Sequence, residues 1–136
     1  MRQLVAAARV GRLATITADA RPHLVPICFA LMTDGARDVI VSGTDEKPKS
    51  TPKLRRLANV RTHPAVALLV DHYEEEWSRV WWVRVDGQAR VLDDGPEHAG
   101  ALAALRAKYD QYTETTAFGA VLAIDVERWR GWRYAG

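Results

Sequence analysis

The chain has 136 residues, 48% apolar and 26% charged, which suits one compact core and excludes a long multidomain mechanism, disorder or collagen-like structure. Nineteen lysines and arginines against seventeen acids leave a formal charge of +2, so no global positive field points to nucleic acid or an anionic membrane. The single cysteine, Cys28, cannot close an intramolecular disulfide, and Arg9 and Arg12 interrupt the first apolar run too early for a signal peptide or spanning helix; a soluble cytoplasmic protein is expected.

Residues 1–8 read as a short helix and 10–17 as a strand ending in the turn-like Ala18-Asp19-Ala20-Arg21. The run PHLVPICFAL, residues 22–31, reads as one apolar strand; Pro26 suits an edge or a bulge, and Cys28 reads as a small buried hydrophobe. After the turn Thr33-Asp34-Gly35-Ala36, residues 38–43 give a third strand, so a β-meander opens the chain. A loop at 44–52 leads into a helix at 53–60, for which Thr51 is a favoured N-cap and Pro52 a favoured first residue, with Leu54 and Leu57 facing inward.

AVALLVD, residues 65–71, reads as a buried strand and HYEEEW, 72–77, as an acidic turn. Residues 78–92 make a long strand in which Val80, Trp82 and Arg84 alternate with Trp81, Val83 and Val85, and Gly87 marks a bulge. A helix capped by Asp94 or Gly95 carries Ala99, Leu102, Leu105 and Tyr109 at helical spacing. Residues 118–127 form the last strand, with Ala120, Leu122, Ile124 and Val126 on one face, before an aromatic and basic tail, WRGWRY. Together these predict a mainly β (α+β) fold, an antiparallel barrel with peripheral helices in a single domain over 1–136. There is no βαβ alternation and neither GxGxxG nor GxxxxGK[ST], so the familiar nucleotide-binding motifs are missing.

Arginine outnumbers lysine 15 to 4, yet Lys47, Lys49 and Lys53 fall within seven residues, and 47–61 adds Arg55, Arg56 and Arg61 without an acid. This stretch joins a strand end, Ser42-Gly43-Thr44, to the hydroxyls of Ser50 and Thr51 and to a helix N-terminus. Free N–H groups, the positive end of the helix dipole and mobile lysines make an anion site; the bland alternative is a solvated basic loop. At most one of Arg55 and Arg56 faces such a site.

Trp81 and Trp82 on one strand point to opposite faces, so one of them faces outward as core cover, a wall for a planar ligand or the anchor of a homodimer. The four histidines lack metal-ligand spacing, and no Ser-His-Asp or Cys-His set is recognisable. Asp71 and Glu74 to Glu76 read as a solvated turn or as a patch pairing with a basic segment of another subunit.

The order of elements, together with GRLATIT, PHLVPICFAL and VIVSGTDEKPKSTPKLRRLANVRTHPAVALLVDHY, resembles the pyridoxamine 5'-phosphate oxidase-like split β-barrels over nearly the whole chain. The stretch DEKPKSTPKLRRLANV followed by a Trp-Trp strand is most similar to the actinobacterial, coenzyme F420-dependent (deazaflavin) branch. The resemblance implies a homodimer with a cofactor in a cleft at the subunit interface. The cofactor phosphate would lie at Lys47, Lys49, Ser50, Thr51 and Lys53 with Arg56, and the ring system along Val25, Pro26, Ile27, Cys28, Ser42, Gly43 and Thr44; Trp77 or Trp82 would reach across from the partner. It further implies hydride transfer between F420 and an electron-poor small molecule, with FMN as the alternative cofactor and a non-catalytic F420 carrier as the alternative role. Such chemistry belongs to the cofactor, which accounts for the missing catalytic triad. One departure is plain: VERWRGWRYAG lacks the Arg-Leu-His-type terminal segment with which true pyridoxamine phosphate oxidases hold substrate, so that activity is not expected.

Overall fold

The computed structural model describes residues 1–45, 52–114, 116 and 118–134. In chain order the elements are α1 (Arg2–Ala7), β1 (Gly11–Ile16), β2 (Pro22–Ile27), β3 (Ala30–Asp34), β4 (Arg37–Asp45), α2 (Pro52–Thr62), β5 (Ala65–His72), a 3-10 turn (Trp77–Arg79), β6 (Trp81–Leu92), α3 (Gly95–Lys108) and β7 (Phe118–Arg133). The strands form one antiparallel sheet in the order β2-β1-β5-β6-β7-β4-β3. Only Cys28 and Phe29 separate β2 from β3, and these are the two edge strands. Three chain steps span at most about 11 Å, so the two edges must approach one another and the sheet curls on itself into a barrel. No helix among the described residues is long and apolar enough to cross a membrane.

The apolar run at 22–31 is therefore two strands rather than one. β2 pairs with β1 and β3 with β4, so the opening is two hairpins on opposite edges and not a meander. Pro26 does lie on an edge strand, where its missing N–H breaks no ladder. Helix α2 starts at Pro52 and runs to Thr62, two residues beyond the expected end, and β6 starts at Trp81, because residues 77–79 make a 3-10 turn.

Two cores result. Inside the barrel, Leu13, Phe29, Ile40, Leu68, Val83, Val85, Leu122 and Ile124 pack together, with Leu57 and Val60 of α2 and Val5 of α1 added from the helices. A buried polar pair beside it is satisfied, since Asn59 Nδ2 donates to Thr15 Oγ1 at 3.0 Å. Outside the barrel, Ala101, Leu105 and Tyr109 of the α3 segment pack on Ala30, Val39, Val41, Val121 and Ala123. Arg90 fastens this second layer: its guanidinium grips Glu97 of α3 with two bonds (2.7 and 2.8 Å) and Asp125 of β7 (2.7 and 2.8 Å). Those bonds hold the Glu97 and Asp125 carboxyls below their usual range.

The carboxy-terminal tail is not a tail. β7 continues to Arg133, and Trp82 pairs with Trp132, Arg84 with Arg130 and Asp86 with Arg128. Asp86 pairs with Arg128 while Gly87 pairs with Val126, leaving Glu127 as an extra residue on β7. Gly87 is demanded by this irregularity, because a Cβ there would run into the Asp125 carbonyl.

Candidate functional site

The crossover between the two barrel edges is held from far away in sequence. Tyr109, 5% exposed at the end of α3, accepts a hydrogen bond from the Phe29 N–H (2.9 Å) and stands within donating distance of the Phe29 and Arg9 carbonyls (2.9 and 3.0 Å). Burial pushes its phenol up from the usual range, so it stays neutral and can both donate and accept. The same crossover receives a second tie, as Ser42 Oγ of β4 donates to the Cys28 carbonyl at 2.8 Å. Phe29 is buried by this arrangement and the Cys28 side chain is turned out, which corrects the reading of Cys28 as a buried hydrophobe. At a two-residue crossover one side chain fills the barrel and its neighbour points away from it.

Ser42 and Thr44 are buried, and both hydroxyl protons are directed to carbonyls: Ser42 to Cys28, and Thr44 to Ala120 at 2.7 Å. These residues present backbone and accepting lone pairs, and a phosphate would have to take its donors from elsewhere. Gly43 lies between them with Phe118 and Leu105 against its Cα. From α2, Arg56 donates to the Gly43 carbonyl at 3.4 Å, while Arg55 is exposed; the question of which arginine turns inward is thus decided for Arg56. Cys28, Ser42, Gly43 and Arg56 form one chain of contacts, joined by Ile27, which is buried next to Cys28. Lys47, Lys49, Ser50 and Thr51 lie outside the described residues, as does the side chain of Lys53.

α2 begins with proline and has no acid in its first turn, so no carboxylate of that turn offsets the positive end of the helix dipole. Among the described residues, the acid-free start of α2 and the Arg56 guanidinium are of a chemistry that fits a phosphate-bearing cofactor.

Val25 and Pro26 sit on β2 with opposite exposure: Val25 packs against the barrel core, and Pro26 faces out in register with Arg12. Trp81 packs on the core and Trp82 faces out, as two neighbours on one strand must. Trp82 lines a hollow of about 670 Å³ over the outer side of β1, β2, β5 and β6, together with Leu24, Leu69, Arg12 and Arg84. Trp77 is 58% exposed in the 3-10 turn. Within one chain the tryptophans are not in the contact chain around Ser42 and Arg56. Among the described residues no group of three histidine, cysteine or acidic side chains could hold a metal ion.

Two features escaped sequence reasoning. Tyr109 looked like one more helical core position, and nothing local marks a bond made across 80 residues. Lys108 is the other: its ammonium is buried over the Phe29 ring (4.0 Å) with no hydrogen-bond partner among the described residues, and burial, aided by Arg9, brings it down to about 8.

Residues 1–133 match the family model for pyridoxamine 5'-phosphate oxidase. The chain belongs to that family. No curated protein sequence matches it. Among solved structures it is similar to a conserved protein of unknown function from Corynebacterium diphtheriae (21% identity, 98% of this chain and 91% of that one, TM-score 0.71). It is also similar to an FAD-binding protein from Mesorhizobium loti (24%, 96% and 87%, TM-score 0.65) and to a heme storage protein from Vibrio cholerae (14%, 97% and 90%, TM-score 0.67). At these identities the likeness establishes the fold, a mostly antiparallel split β-barrel with peripheral helices, as expected for this family.

Proposed function

We propose that this chain is a cytoplasmic, single-domain oxidoreductase of the pyridoxamine 5'-phosphate oxidase family. In this reading, residues 1–136 form a homodimer that binds coenzyme F420 in a cleft between its two copies and reduces an electron-poor small organic molecule. The observation that carries the reading is the strand end Ser42-Gly43-Thr44 running into the lysine-rich segment and the acid-free start of α2, with Arg56 turned back onto Gly43.

The roles divide by what each residue has to offer. The N–H groups at the start of α2, Lys47, Lys49, Lys53 and Arg56 neutralise a phosphodiester and the anionic tail beyond it, with Ser50 and Thr51 donating short hydrogen bonds. Pro26 and Cys28 face out and border a ring system, with Val25 and Ile27 packed beneath them on the core side, and the Ser42 to Thr44 backbone offers a polar edge. Trp77 or Trp82 of the second copy closes the cleft against water. The cofactor, when bound, supplies the hydride, and the protein supplies orientation and charge.

FMN is the second reading, since it also brings a phosphate and a tricyclic ring and one structural relative is described as FAD-binding. A non-catalytic carrier is the third, favoured by the relative described as a heme storage protein, which holds its ligand on the same fold.

Titration with oxidised F420 and separately with FMN, followed by tryptophan fluorescence at low and high salt, tests the reading. Tight, salt-sensitive binding of F420 with weak binding of FMN is expected; the reverse preference moves the chain to the flavin branch, and binding of neither removes the cofactor assignment. Lys47→Ala with Lys49→Ala should weaken binding by about 2–4 kcal/mol, on a scale of about 1.5–3 kcal/mol per charge-assisted bond. An unchanged dissociation constant would rule out the lysine segment.

A further inference from the structure

Strict alternation along β7 would turn Phe118 into the barrel, since Val121 belongs to the outer layer and Ala120 packs against the inner core. The pairing does not stay strict. Gly43 of β4 pairs with Val121 but Asp45 pairs with Phe118, which leaves one extra residue on β7. A bulge of this kind re-aims the side chain beyond it. Phe118 is accordingly laid on Gly43, so closely that a Cβ there would stand 2.7 Å from the ring; only glycine admits it.

That ring is one end of an aromatic row. Phe118 meets Tyr112 edge to face (centroids 4.9 Å apart, 77° between planes), and Tyr112 meets Tyr109 in the same way (5.5 Å, 62°), the arrangement that ring quadrupoles favour. Arg106 of α3 fixes the intervening segment: its Nε–H donates to the Thr113 carbonyl (3.1 Å), a terminal N–H donates to the Thr116 carbonyl (3.2 Å), and the guanidinium lies 5.4 Å from the centre of the Phe118 ring. At the other end of the row the Tyr109 hydroxyl accepts from the Phe29 N–H beside Cys28. One continuous set of contacts therefore runs behind the candidate site, from the crossover at Cys28 to the strand end at Gly43, whose carbonyl accepts from Arg56. Close-packed rings transmit displacement, so a shift at one end has to be felt at the other.

We propose that Tyr109, Tyr112 and Phe118 are positioning residues: the row sets the spacing between the Cys28–Phe29 crossover and the Gly43 backbone, and with it the distance between the places for a cofactor's ring system and its phosphate. This rests on the cofactor reading above and adds residues that act on that site only through the crossover and Gly43.

Tyr112, the middle ring, is the one to change. The full-length wild type is compared with Tyr112→Leu, with Tyr112→Phe, which keeps both edge contacts, and with Val39→Ala, which opens the same outer layer at the far end of β4. Two quantities are read: the rate at which iodoacetamide modifies Cys28 in the folded protein, and the dissociation constants of F420 and FMN. Tyr112→Leu should speed modification at least about fivefold and weaken the preferred cofactor at least about tenfold, while Tyr112→Phe and Val39→Ala stay within about twofold of wild type in both. Circular dichroism establishes that the variants are folded, and Phe118→Leu, at the Gly43 end, repeats the test if Tyr112→Leu does not fold. Modification of Cys28 that Tyr112→Leu leaves unchanged, or that Val39→Ala accelerates equally, overturns the proposal; so does cofactor affinity that holds at its wild-type value while the thiol rate rises. A wild type that binds neither cofactor removes the proposed function, and the thiol rates alone then decide whether the row couples the crossover to Gly43.

Discussion

Strand β7 passes through two environments along its outer side. At Val121 and Ala123 it lies under α3, closed off by Leu105 and Ala101, and these residues are fully buried. From Arg128 to Trp132 the outer side has no helix over it among the described residues, and it carries two arginines with no ion pair or hydrogen bond among those residues and a tryptophan 45% exposed. Between them the register shifts at Glu127. The first half is covered within the chain, and the second is left exposed in the single chain. Exposure of apolar groups scattered singly is ordinary on a protein surface, but Leu24, Leu69 and Trp82 around one hollow are contiguous.

The largest effect should come from opening the finished half. Leu105→Ala removes a side chain that is wholly buried between α3 and the sheet and should cost about 3–4 kcal/mol, the range for a leucine cavity that collapses only partly. Urea denaturation measures it. A cost below about 1 kcal/mol would mean that α3 is not a structural layer of the fold.

Next comes the pin between α3 and the barrel crossover. Tyr109→Phe keeps the ring and deletes the hydroxyl, leaving the Phe29 N–H buried without a partner, which should cost about 1–3 kcal/mol. Because Phe29 follows Cys28 directly in the crossover, loosening it should also raise the rate at which a thiol reagent modifies Cys28. Unchanged stability and unchanged labelling together would show that Ser42 alone holds the crossover.

That pin is also where sequence reading reached its limit. Element types follow from local pattern, so both inserted helices, the β1–β2 hairpin, the Pro52 start of α2 and the opposite facing of Trp81 and Trp82 are legible, though not which of the two faces out. The break at Cys28 and Phe29 was not, because no glycine, asparagine or proline marks it; the turn is imposed by Tyr109 from 80 residues away. The last strand was cut short at Glu127 for a related reason. Up to Val126 the even-numbered residues face inward, whereas beyond the bulge Trp129 packs on the core and Trp132 faces out, so the alternation changes phase and reads as a tail. Of the candidate site, Ser42, Gly43, Cys28 and Arg56 come together, but the hydroxyls of Ser42 and Thr44 turn to carbonyls that only the folded chain brings near.

A smaller effect of opposite sign is expected at Lys108. Its ammonium is less favourable in the folded chain than in water, so between about 8 and the ordinary lysine value of 10.5 the folded state has lost a proton that the unfolded state keeps. Stability should therefore rise with pH across that window. Lys108→Met should flatten the rise and add about 1 kcal/mol at pH 7; the figure is well short of the whole shift because the stem is partly solvated and the contact with the Phe29 ring is given up. Chemical denaturation at pH 7 and pH 10 checks both. Stability falling toward pH 10 in the wild type, or a destabilised variant, would place a partner on this ammonium.

The smallest effect is the most discriminating for the two faces of the sheet. Leu24→Ser acts on a side chain two-thirds exposed in the single chain, so at nanomolar concentration it should change stability by less than about 0.5 kcal/mol. At high micromolar concentration, where the second copy of the proposed homodimer would cover Leu24, mass action links association to folding and the same substitution should lower the denaturation midpoint measurably. Leu105→Ala, by contrast, should cost the same at both concentrations, since α3 covers that site within one chain. A Leu24→Ser penalty that is equal at both concentrations would mean that the outer face of β2 is as complete as the one beneath α3, and the contrast between the two halves of the sheet would be lost.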